Sequence, residues 1–540
     1  MKTTKSTPNK LLKHVLLVTM LLTFTVMLVG GGWIYKNQAP IPEKVVGPDG
    51  TLVTTKAQIM GGQAVYQKYG LMDYGTVLGH GSYLGPDYTA ESLNIMVVTL
   101  QDYWAQKLYG KPYKDLPEEQ QAGAEAKTKS DLKTNRFDSA TNTLTLTEGQ
   151  VKGIAAIRAH YHDYFVNGDI EASLPAGTIQ ESHLPNRDGS YVAAGDQIQQ
   201  ISDFFAWTSW LSAAKRPGLE YSYTNNWPYD PAAGNNATYG AIYWSAISVT
   251  LLIAGLAVIL WAQKKWHLEM EQNYVKFPKF DLSKLQVTPG QRKLGKYLLV
   301  VTLLFLVQAT LGGYLAHYYA EGSSFYGLDL PSILPFNIAK GWHLQLAVFW
   351  IATAWLSMGL YAAPAISGEE PKGQGILVDI LFWALVVVVG GSLAGQWLGA
   401  KGYLGNMWWW FGHQGWEYLE LGRVWQILLV AGLGIWLFIL WRGLRGALKK
   451  ETDKGGLTHL LLYTSIGIPL FYCFAFFIKP DTSITYADYW RWWIIHLWVE
   501  GMFEVFAVVI IGYLMVAMKL VTAKSTVRAL YFQLIILLGS

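Results

Sequence analysis

The chain has 540 residues, of which 51% are hydrophobic and 15% charged, and its formal net charge is +4. A soluble protein of this length would carry more charge, so the composition favours a membrane protein and gives no support for nucleic-acid binding. The single cysteine, Cys473, excludes disulfides within the chain, iron–sulfur clusters and a Cys-x-x-Cys-His haem attachment site.

The N-terminus contains several lysines and then an apolar run from Val15 to about Tyr35. This run is long for a signal peptide and lacks a convincing cleavage site. We therefore predict a retained membrane anchor over residues 1–35.

A polar segment rich in Gly, Tyr, Asp and Asn follows, with a charged, helix-favouring stretch from Leu116 to Arg136. We predict that residues 36–238 form one water-exposed domain.

Apolar runs of about 20 residues, the length that a helix needs to cross a bilayer, then recur along the chain. They lie at about 239–263, 294–320, 338–365, 376–399, 423–442, 457–478 and 490–519, and a last one begins near Ala529. We predict a linking transmembrane helix and loop over 239–290 and a helix bundle over 291–540. The last run is too short to span a bilayer, so we expect the bundle to be incomplete and the chain to be a fragment.

Basic loops alternate with long, aromatic loops that are poor in lysine. Three loops are basic: 264–296, 442–454 and 519–528. The positive-inside rule predicts that these loops lie in the cytoplasm and that the 36–238 domain lies on the outer face of the plasma membrane.

The stretch His496-Leu497-Trp498-Val499-Glu500-Gly501-Met502-Phe503-Glu504 carries the strongest chemical signal. On a helix, its histidine and two glutamates share one face. Ionisable groups are costly inside a membrane and usually serve a site. A histidine with a carboxylate suits iron, so we predict a buried iron-ligand pair, His496 and Glu500. The alternative is an ion pair between helices, and Glu504 could relay protons or support the metal site.

His343 lies about one turn into a predicted helix, in Gly341-Trp342-His343-Leu344-Gln345-Leu346. A neutral imidazole on a rigid helix can be an axial haem ligand. A histidine that simply bonds to a neighbouring carbonyl is the alternative.

His317 and Glu321 lie at the end of another predicted helix, and Phe325 follows four residues later. Two proton acceptors beside an aromatic wall suit a quinol head group. An interfacial polar cluster that caps the helix is the alternative, and Gly322-Ser323-Ser324 could end the helix before Phe325.

Glu417 and Glu420 lie in an aromatic loop that begins at Trp408. Carboxylates together with backbone carbonyls form calcium sites, whereas a solvated acid is the simpler interpretation.

These motifs resemble those of bacterial nitric oxide reductases, in the haem-copper oxidase superfamily. HLWVEGMFE is similar to the helix that holds the non-haem iron, where oxygen-reducing relatives tend to carry His-Pro-Glu-Val-Tyr for copper. GWHLQLAVFW resembles the helix of the low-spin haem ligand, which maps to His343. GHQGWEYLELGRVWQ resembles a calcium-binding loop, which maps to Glu417.

The polar domain resembles the cytochrome c subunit of the cytochrome-dependent reductases, through GGQAVYQ at 61–67 and LGHGSYLGPDYTAE. Gly81 and Tyr83 match positions that contribute calcium ligands. The haem-attaching cysteines are absent, since the matching stretch reads YGLMDYGTV. Fusion of such a domain to the bundle is similar to the single-chain, quinol-dependent reductase, in which His317, Glu321 and Phe325 match the quinol pocket.

The resemblance implies an all-α polytopic membrane protein, an incomplete haem-copper oxidase-like bundle with an extracytoplasmic cytochrome c-like domain that lacks haem c. It implies reduction of nitric oxide to nitrous oxide with electrons from membrane quinol. The implied cofactors are low-spin haem b, high-spin haem b, non-haem iron and calcium, with Glu500 and Glu504 as catalytic residues. Membrane lipid, quinol and nitric oxide are the expected partners, and a homodimer is possible.

Two further iron histidines that the family needs are absent from the 540 residues, so we expect this chain to be inactive by itself. Two rival functions stay open: an oxygen-reducing quinol oxidase of the same superfamily, and a non-enzymatic membrane transporter.

Overall fold

The structure is a computed structural model that describes residues 9–169, 173–180, 194–265, 286–322, 327–328, 330–451 and 456–539. The first helix, α1, runs from Asn9 to Asn37. It packs against the far end of the chain, since Thr23 Oγ1 donates to the Leu538 carbonyl and the Tyr489 hydroxyl donates to the Met27 carbonyl. The apolar N-terminal run therefore forms part of the helix bundle.

The polar domain combines five helices with a small sheet that the sequence did not predict. Its elements are β1 (Lys44–Val46), β2 (Leu52–Thr55), α2 (Lys56–Lys68), α3 (Tyr88–Tyr109), α4 (Glu118–Lys133), β3 (Phe137–Asp138), β4 (Thr143–Thr145), α5 (Glu148–Asn167) and α6 (Ala194–Ala213). The strand order is β2-β1-β4-β3, with β1 antiparallel to β2 and parallel to β4.

Side-chain caps define the starts of three helices in this domain, α2, α3 and α5. The hydroxyl of Thr55 accepts from the Gln58 amide at α2, and Asp87 accepts from Ala90 at α3. Thr147 and Gln150 form a complete capping box at α5. Such caps satisfy backbone donors that have no partner within the helix.

Aromatic rings fill the core of the polar domain. The Tyr88 ring stacks on Phe205 at a centroid distance of 4.4 Å, and Tyr66 and Tyr161 contact the same pair. All four rings are fully buried.

The described residues in the rest of the chain are mostly helical. Its helices are α7 (Tyr239–Lys265), α8 (Pro289–Lys293), α9 (Gly295–Glu321), α10 (Leu330–Ile333), α11 (Phe336–Ser367), α12 (Gln374–Ala400), α13 (Arg423–Lys450), α14 (Leu457–Tyr472), α15 (Ile484–Trp492), α16 (Glu504–Ala517) and α17 (Ala523–Gly539). A π-helix, Trp493–Phe503, joins α15 to α16 without a break.

Among the described residues, eight helices are long and apolar enough to cross a membrane. They coincide with the predicted anchor and the seven predicted apolar runs, so the predicted polytopic helical class is confirmed. Helix α7 exposes nearly all of its apolar side chains, including Trp244 and Leu251, as expected for a helix surrounded by lipid.

The polar domain docks onto the end of the bundle where α11 begins and where the 401–422 loop lies. Gln63 donates to the Thr482 carbonyl at 2.9 Å and accepts from the Ile484 amide at 2.8 Å. Asn337, in the first turn of α11, donates to the Tyr69 carbonyl. These bonds hold the two parts of the chain together across a polar interface.

Candidate metal and cofactor site

His496 and Glu500 contact each other within the π-helix. His496 Nδ1 lies 2.9 Å from Glu500 Oε2, and the Trp492 ring stacks on the imidazole at a centroid distance of 5.6 Å. The sequence predicted a regular α-helix here. A π-helix instead bonds each residue to the fifth one along, and short π segments occur frequently at functional sites.

The prediction that this pair is buried was wrong for the described part of the chain. The side chain of Glu500 is 48% exposed and that of His496 is 24% exposed. Glu504, the first residue of α16, is exposed on the same segment. No described helix covers this face, so the carboxylates remain accessible.

The imidazole nitrogen and carboxylate oxygens of this pair suit iron, but two ligand residues are too few to form a complete iron site. A carboxylate can only accept, so His496 Nδ1 donates to Glu500 and leaves Nε2 as the nitrogen that can bind a metal. Among the described residues there is no group of three or more His, Cys, Asp or Glu that could hold a metal ion.

His343 lies between α11 and α9. Its Nδ1 is 2.9 Å from the Gln308 carbonyl oxygen, and its Nε2 is 3.1 Å from the side-chain nitrogen of Gln308. A carbonyl can only accept, so Nδ1 carries the proton and Nε2 carries the lone pair. This is the tautomer that an axial haem ligand bound through Nε2 requires.

Three buried carboxylates meet two cations where the polar domain docks. Arg491 Nη2 lies 3.8 Å from Glu417 Oε2, and Lys340 Nζ lies 3.9 Å from Glu417 Oε1. Asp73 and Glu420 are almost completely buried beside Glu417. Asp73 Oδ1 has no hydrogen-bond partner among the described residues. With three acids and two cations, the cluster keeps a negative charge unless a proton or another cation joins it.

Burial raises the pKa of all three acids. The pKa of Asp73 is well above its usual range because of burial and then because of repulsion from Glu420 and Glu417. Burial raises the pKa of Glu420 to about 8 and also raises that of Glu417. Desolvation disfavours the charged form of a carboxyl, so burial favours protonation of these groups, and a bound cation would favour their charged forms instead.

The other two residues that were predicted to bind calcium lie on a neighbouring loop. Gly81 has φ +133°, and a Cβ there would lie 2.6 Å from the Met72 carbonyl oxygen. The Glu417 amide in turn lies 3.3 Å from Met72 Sδ, so Met72 contacts both Gly81 and Glu417. Tyr83 is 72% exposed, and its hydroxyl donates to the Gly79 carbonyl at 3.0 Å.

The predicted quinol residues are only partly described. His317 Nε2 lies 3.3 Å from Glu321 Oε2, with the imidazole largely buried and the carboxylate exposed. Helix α9 ends at Glu321, where Gly322 adopts φ +72°. Phe325 lies outside the described residues.

A cavity of about 80 Å³ lies inside the bundle, between α11, the 418–421 segment, α13, α14 and the π-helix. Four buried polar atoms on its lining residues have no hydrogen-bond partner among the described residues: Gln345 Oε1, Thr353 Oγ1, Tyr472 Oη and Trp498 Nε1. Buried polar groups are normally satisfied, so these four atoms indicate that the cavity wall can bind a group that has polar edges. Neither His343 nor His496 lines this cavity.

Sequence reasoning missed Asp73, Lys340, Arg491 and Gln308. Lys340, Arg491 and Gln308 carry a usable signal, because polar and charged residues within apolar spans usually serve a site. Asp73 carries none, since an aspartate in a polar domain is ordinary until the fold buries it.

Two family models match different parts of the chain. The first, which describes the cytochrome c-like domain of the nitric oxide reductase protein NorB, matches residues 42–229. The second, described as "Cytochrome C and Quinol oxidase polypeptide I", matches residues 292–540. The NorB protein of the Stutzerimonas stutzeri nitric oxide reductase is 25% identical over 240 residues, which are 44% of this chain and 47% of that protein. The alignment thus spans about half the length of that relative.

The eight apolar helices and the matched bundle define a multi-pass membrane protein. Together, the two matched segments and the alignment support a NorB-like member of the haem-copper oxidase family. The family resemblance predicted from the sequence is confirmed.

Proposed function

We propose that the protein is an oxidoreductase that reduces nitric oxide with electrons from membrane quinol. Two nitric oxide molecules, two electrons and two protons would give nitrous oxide and water. The observation that carries this proposal is the carboxylate of Glu500, 2.9 Å from the His496 imidazole, in the segment matched by the oxidase family model. A nitrogen and a hard oxygen donor favour iron over copper at this position.

Haem and iron, when bound, would supply the redox chemistry, and the residues of the chain would position them and move protons. We assign His343 to the low-spin haem b and the cavity lined by Tyr472 and Trp498 to the high-spin haem b. His496 and Glu500 would hold the non-haem iron. Glu504 lies on the accessible side of the same segment and would supply protons or shape the site.

The electron donor is assigned to the end of α9. His317 and Glu321 are 3.3 Å apart, and both can accept protons from an oxidised quinol. We retain Phe325 as a member of this quinol pocket. The absence of haem-attaching cysteines in the polar domain supports direct electron transfer from quinol. The activity belongs on the plasma membrane, with the polar domain on the outer face. The basic helix α8, which precedes α9, and the basic last turn of α13 would lie inside.

The test is a metal, haem and turnover analysis of the protein isolated from its native membranes. We expect haem b, iron without copper, and nitrous oxide formation with quinol but not with reduced cytochrome c. Copper together with oxygen consumption would identify an oxygen-reducing quinol oxidase instead. A colourless protein free of transition metal would leave a transporter as the function.

Variants test the two glutamates separately. Glu500→Gln removes the anionic donor, so we expect loss of most of the iron. Glu504→Gln is the matched control, since it should retain iron while turnover falls. Equal iron content in both variants would contradict the ligand assignment.

Iron retention also tests how many iron ligands the 540-residue chain supplies. Because the described residues supply only two donors, we expect the 540-residue chain expressed alone to bind iron weakly and to show no sustained turnover. Sustained nitrous oxide production by this chain would show that the ligand set is wrong.

We assign the buried acids at Glu417 to calcium, with Gly81 and Tyr83 contributing from the polar domain. A divalent cation at Glu417 would stabilise the ionised carboxylate of that residue and would counter the charge of Asp73 and Glu420 when these are ionised. Removal of calcium with a chelator should lower the thermal unfolding midpoint of the native protein at neutral pH. Glu417→Gln should abolish that response, and an unchanged response in this variant would exclude Glu417 as a ligand.

A further inference from the structure

One residue of helix α9, Gln308, contacts both ring nitrogens of His343. The Gln308 carbonyl accepts from His343 Nδ1 at 2.9 Å, and the Gln308 side chain reaches His343 Nε2 at 3.1 Å. In an α-helix the same carbonyl also accepts from the amide of residue 312, and a carbonyl oxygen has lone pairs for both bonds. The backbone of α9 therefore selects the tautomer of the imidazole.

Gly312 makes this contact possible. A Cβ at position 312 would lie 3.0 Å from His343 Cε1 and 3.5 Å from Nδ1. The first of these distances is tighter than an ordinary van der Waals contact, so a side chain there would force the imidazole to move. A Cβ on the adjacent Gly313 would meet nothing within 4 Å. Only one glycine of this pair therefore makes room for the histidine.

We propose that Gln308 and Gly312 are positioning residues, which hold the His343 imidazole with Nδ1 protonated and Nε2 ready to bind the haem iron. This inference rests on the proposed role of His343 as a haem ligand. The side-chain amide of Gln308 contacts Nε2 in this structure, and this contact is lost when Nε2 binds iron. The carbonyl of Gln308 keeps its bond to Nδ1, as partners of ligating histidines generally do.

The alternative is a purely structural contact, in which two polar groups between α9 and α11 satisfy each other. That role would affect folding but would not change the properties of a bound haem. The two roles differ in the spectrum and reduction potential of the low-spin haem, which depend on how the axial imidazole is oriented and hydrogen-bonded.

The experiment compares Gly312→Ala with Gly313→Ala in the full chain loaded with haem b. Both variants replace a glycine of α9 by alanine, so the effect of the substitution on helix propensity is the same in the two. We expect Gly313→Ala to match the wild type in low-spin electron paramagnetic resonance signal, reduction potential and haem affinity. Gly312→Ala should shift the signal and the potential and weaken haem binding at least about tenfold.

Gln308→Leu separates the side chain from the backbone. It removes the amide but keeps the carbonyl, so we expect the low-spin signal to remain close to that of the wild type. Identical signals and affinities in Gly312→Ala and Gly313→Ala would overturn the proposal.

A measurement on the haem-free protein covers the case in which Gly312→Ala fails to fold. Nitrogen-15 resonances of labelled histidine, assigned by difference from His343→Ala, should show a protonated Nδ1 and an unprotonated Nε2. The opposite tautomer would refute the proposal. The proposed function fails in a different way, namely if His343→Ala keeps a normal low-spin haem.

Discussion

At the scale of single residues, His413 shows how burial fixes a protonation state. Its side chain is fully buried in the 401–422 loop. Nε2 donates to the Lys68 carbonyl at 2.8 Å, and Nδ1 accepts from the Gly415 amide at 3.1 Å. Both nitrogens of a neutral ring are thereby satisfied, and burial lowers the pKa of His413 to about 4.

This histidine should make the protein sensitive to acid. An unfolded histidine titrates near about 6.5, so between pH 6.5 and 4 the unfolded chain binds more protons than the folded one. The stabilisation is fully present above pH 6.5 and falls by roughly 3 kcal/mol as the pH drops to 4. We expect the thermal unfolding midpoint to be lower at pH 5 than at pH 7.5. The difference between the two pH values should be smaller in His413→Gln than in the wild type.

His162→Gln is the control for that prediction. His162 is exposed on α5, so its removal should leave the acid dependence unchanged. An equal acid dependence in the wild type and His413→Gln would exclude His413 as its source.

At the scale of secondary-structure elements, one buried ion pair joins β2, α5 and α6. Arg158 binds the fully buried carboxylate of Asp203 through Nε at 2.7 Å and Nη2 at 2.9 Å. Arg158 also donates to the Val53 carbonyl, and Thr54 donates to Asp203. A bidentate pair that is satisfied on all sides fixes the geometry of the elements that carry it.

Removal of the carboxylate should be costly, because the partly buried guanidinium of Arg158 and the hydroxyl of Thr54 would both lose their partner. We expect Asp203→Ala to destabilise the polar domain by about 3–5 kcal/mol. Chemical denaturation followed by circular dichroism measures this change. Glu220→Ala, which breaks the exposed pair with Lys215, should leave the midpoint unchanged. Similar midpoints for both variants would contradict the importance of the Arg158–Asp203 pair.

At the scale of the whole molecule, the interface between the polar domain and the helix bundle includes close backbone contacts as well as side-chain contacts. Gly415 adopts φ +66°, and a Cβ there would lie 2.2 Å from the Gln67 carbonyl oxygen. The loop that carries Glu417 can therefore reach the end of α2 only because residue 415 is glycine.

Gly415→Ala should separate the two parts of the molecule. Gly50 is the matched control, since it also has a positive φ, +82°, but a Cβ there meets nothing within 4 Å. Gly50→Ala should cost about 1–2 kcal/mol of backbone strain and leave the docking intact. Gly415→Ala should add a clash to this strain and open the interface to limited proteolysis. Equal protease resistance of the two variants would show that the loop does not need this close approach.

Features that depend only on residues close together in the chain could be predicted from the sequence. Apolar runs of about 20 residues predicted all eight spans, because a bilayer requires helices to satisfy their own backbone hydrogen bonds. The contact between His496 and Glu500 also follows from a spacing of four residues within one helical segment. The positions of other helix ends, such as Gly322 after α9, follow from local backbone preferences.

Only the tertiary structure decided which distant groups meet and which faces are covered. Asp73 approaches Glu417 and Glu420 across more than three hundred residues of sequence, and Gln308 reaches His343 from another helix. The exposure of Glu500, and the π-helical form of the segment that contains it, also depend on how the neighbouring helices pack. Burial, pKa and hydrogen-bond pairing are properties of assembled surfaces, so no local pattern of residues specifies them.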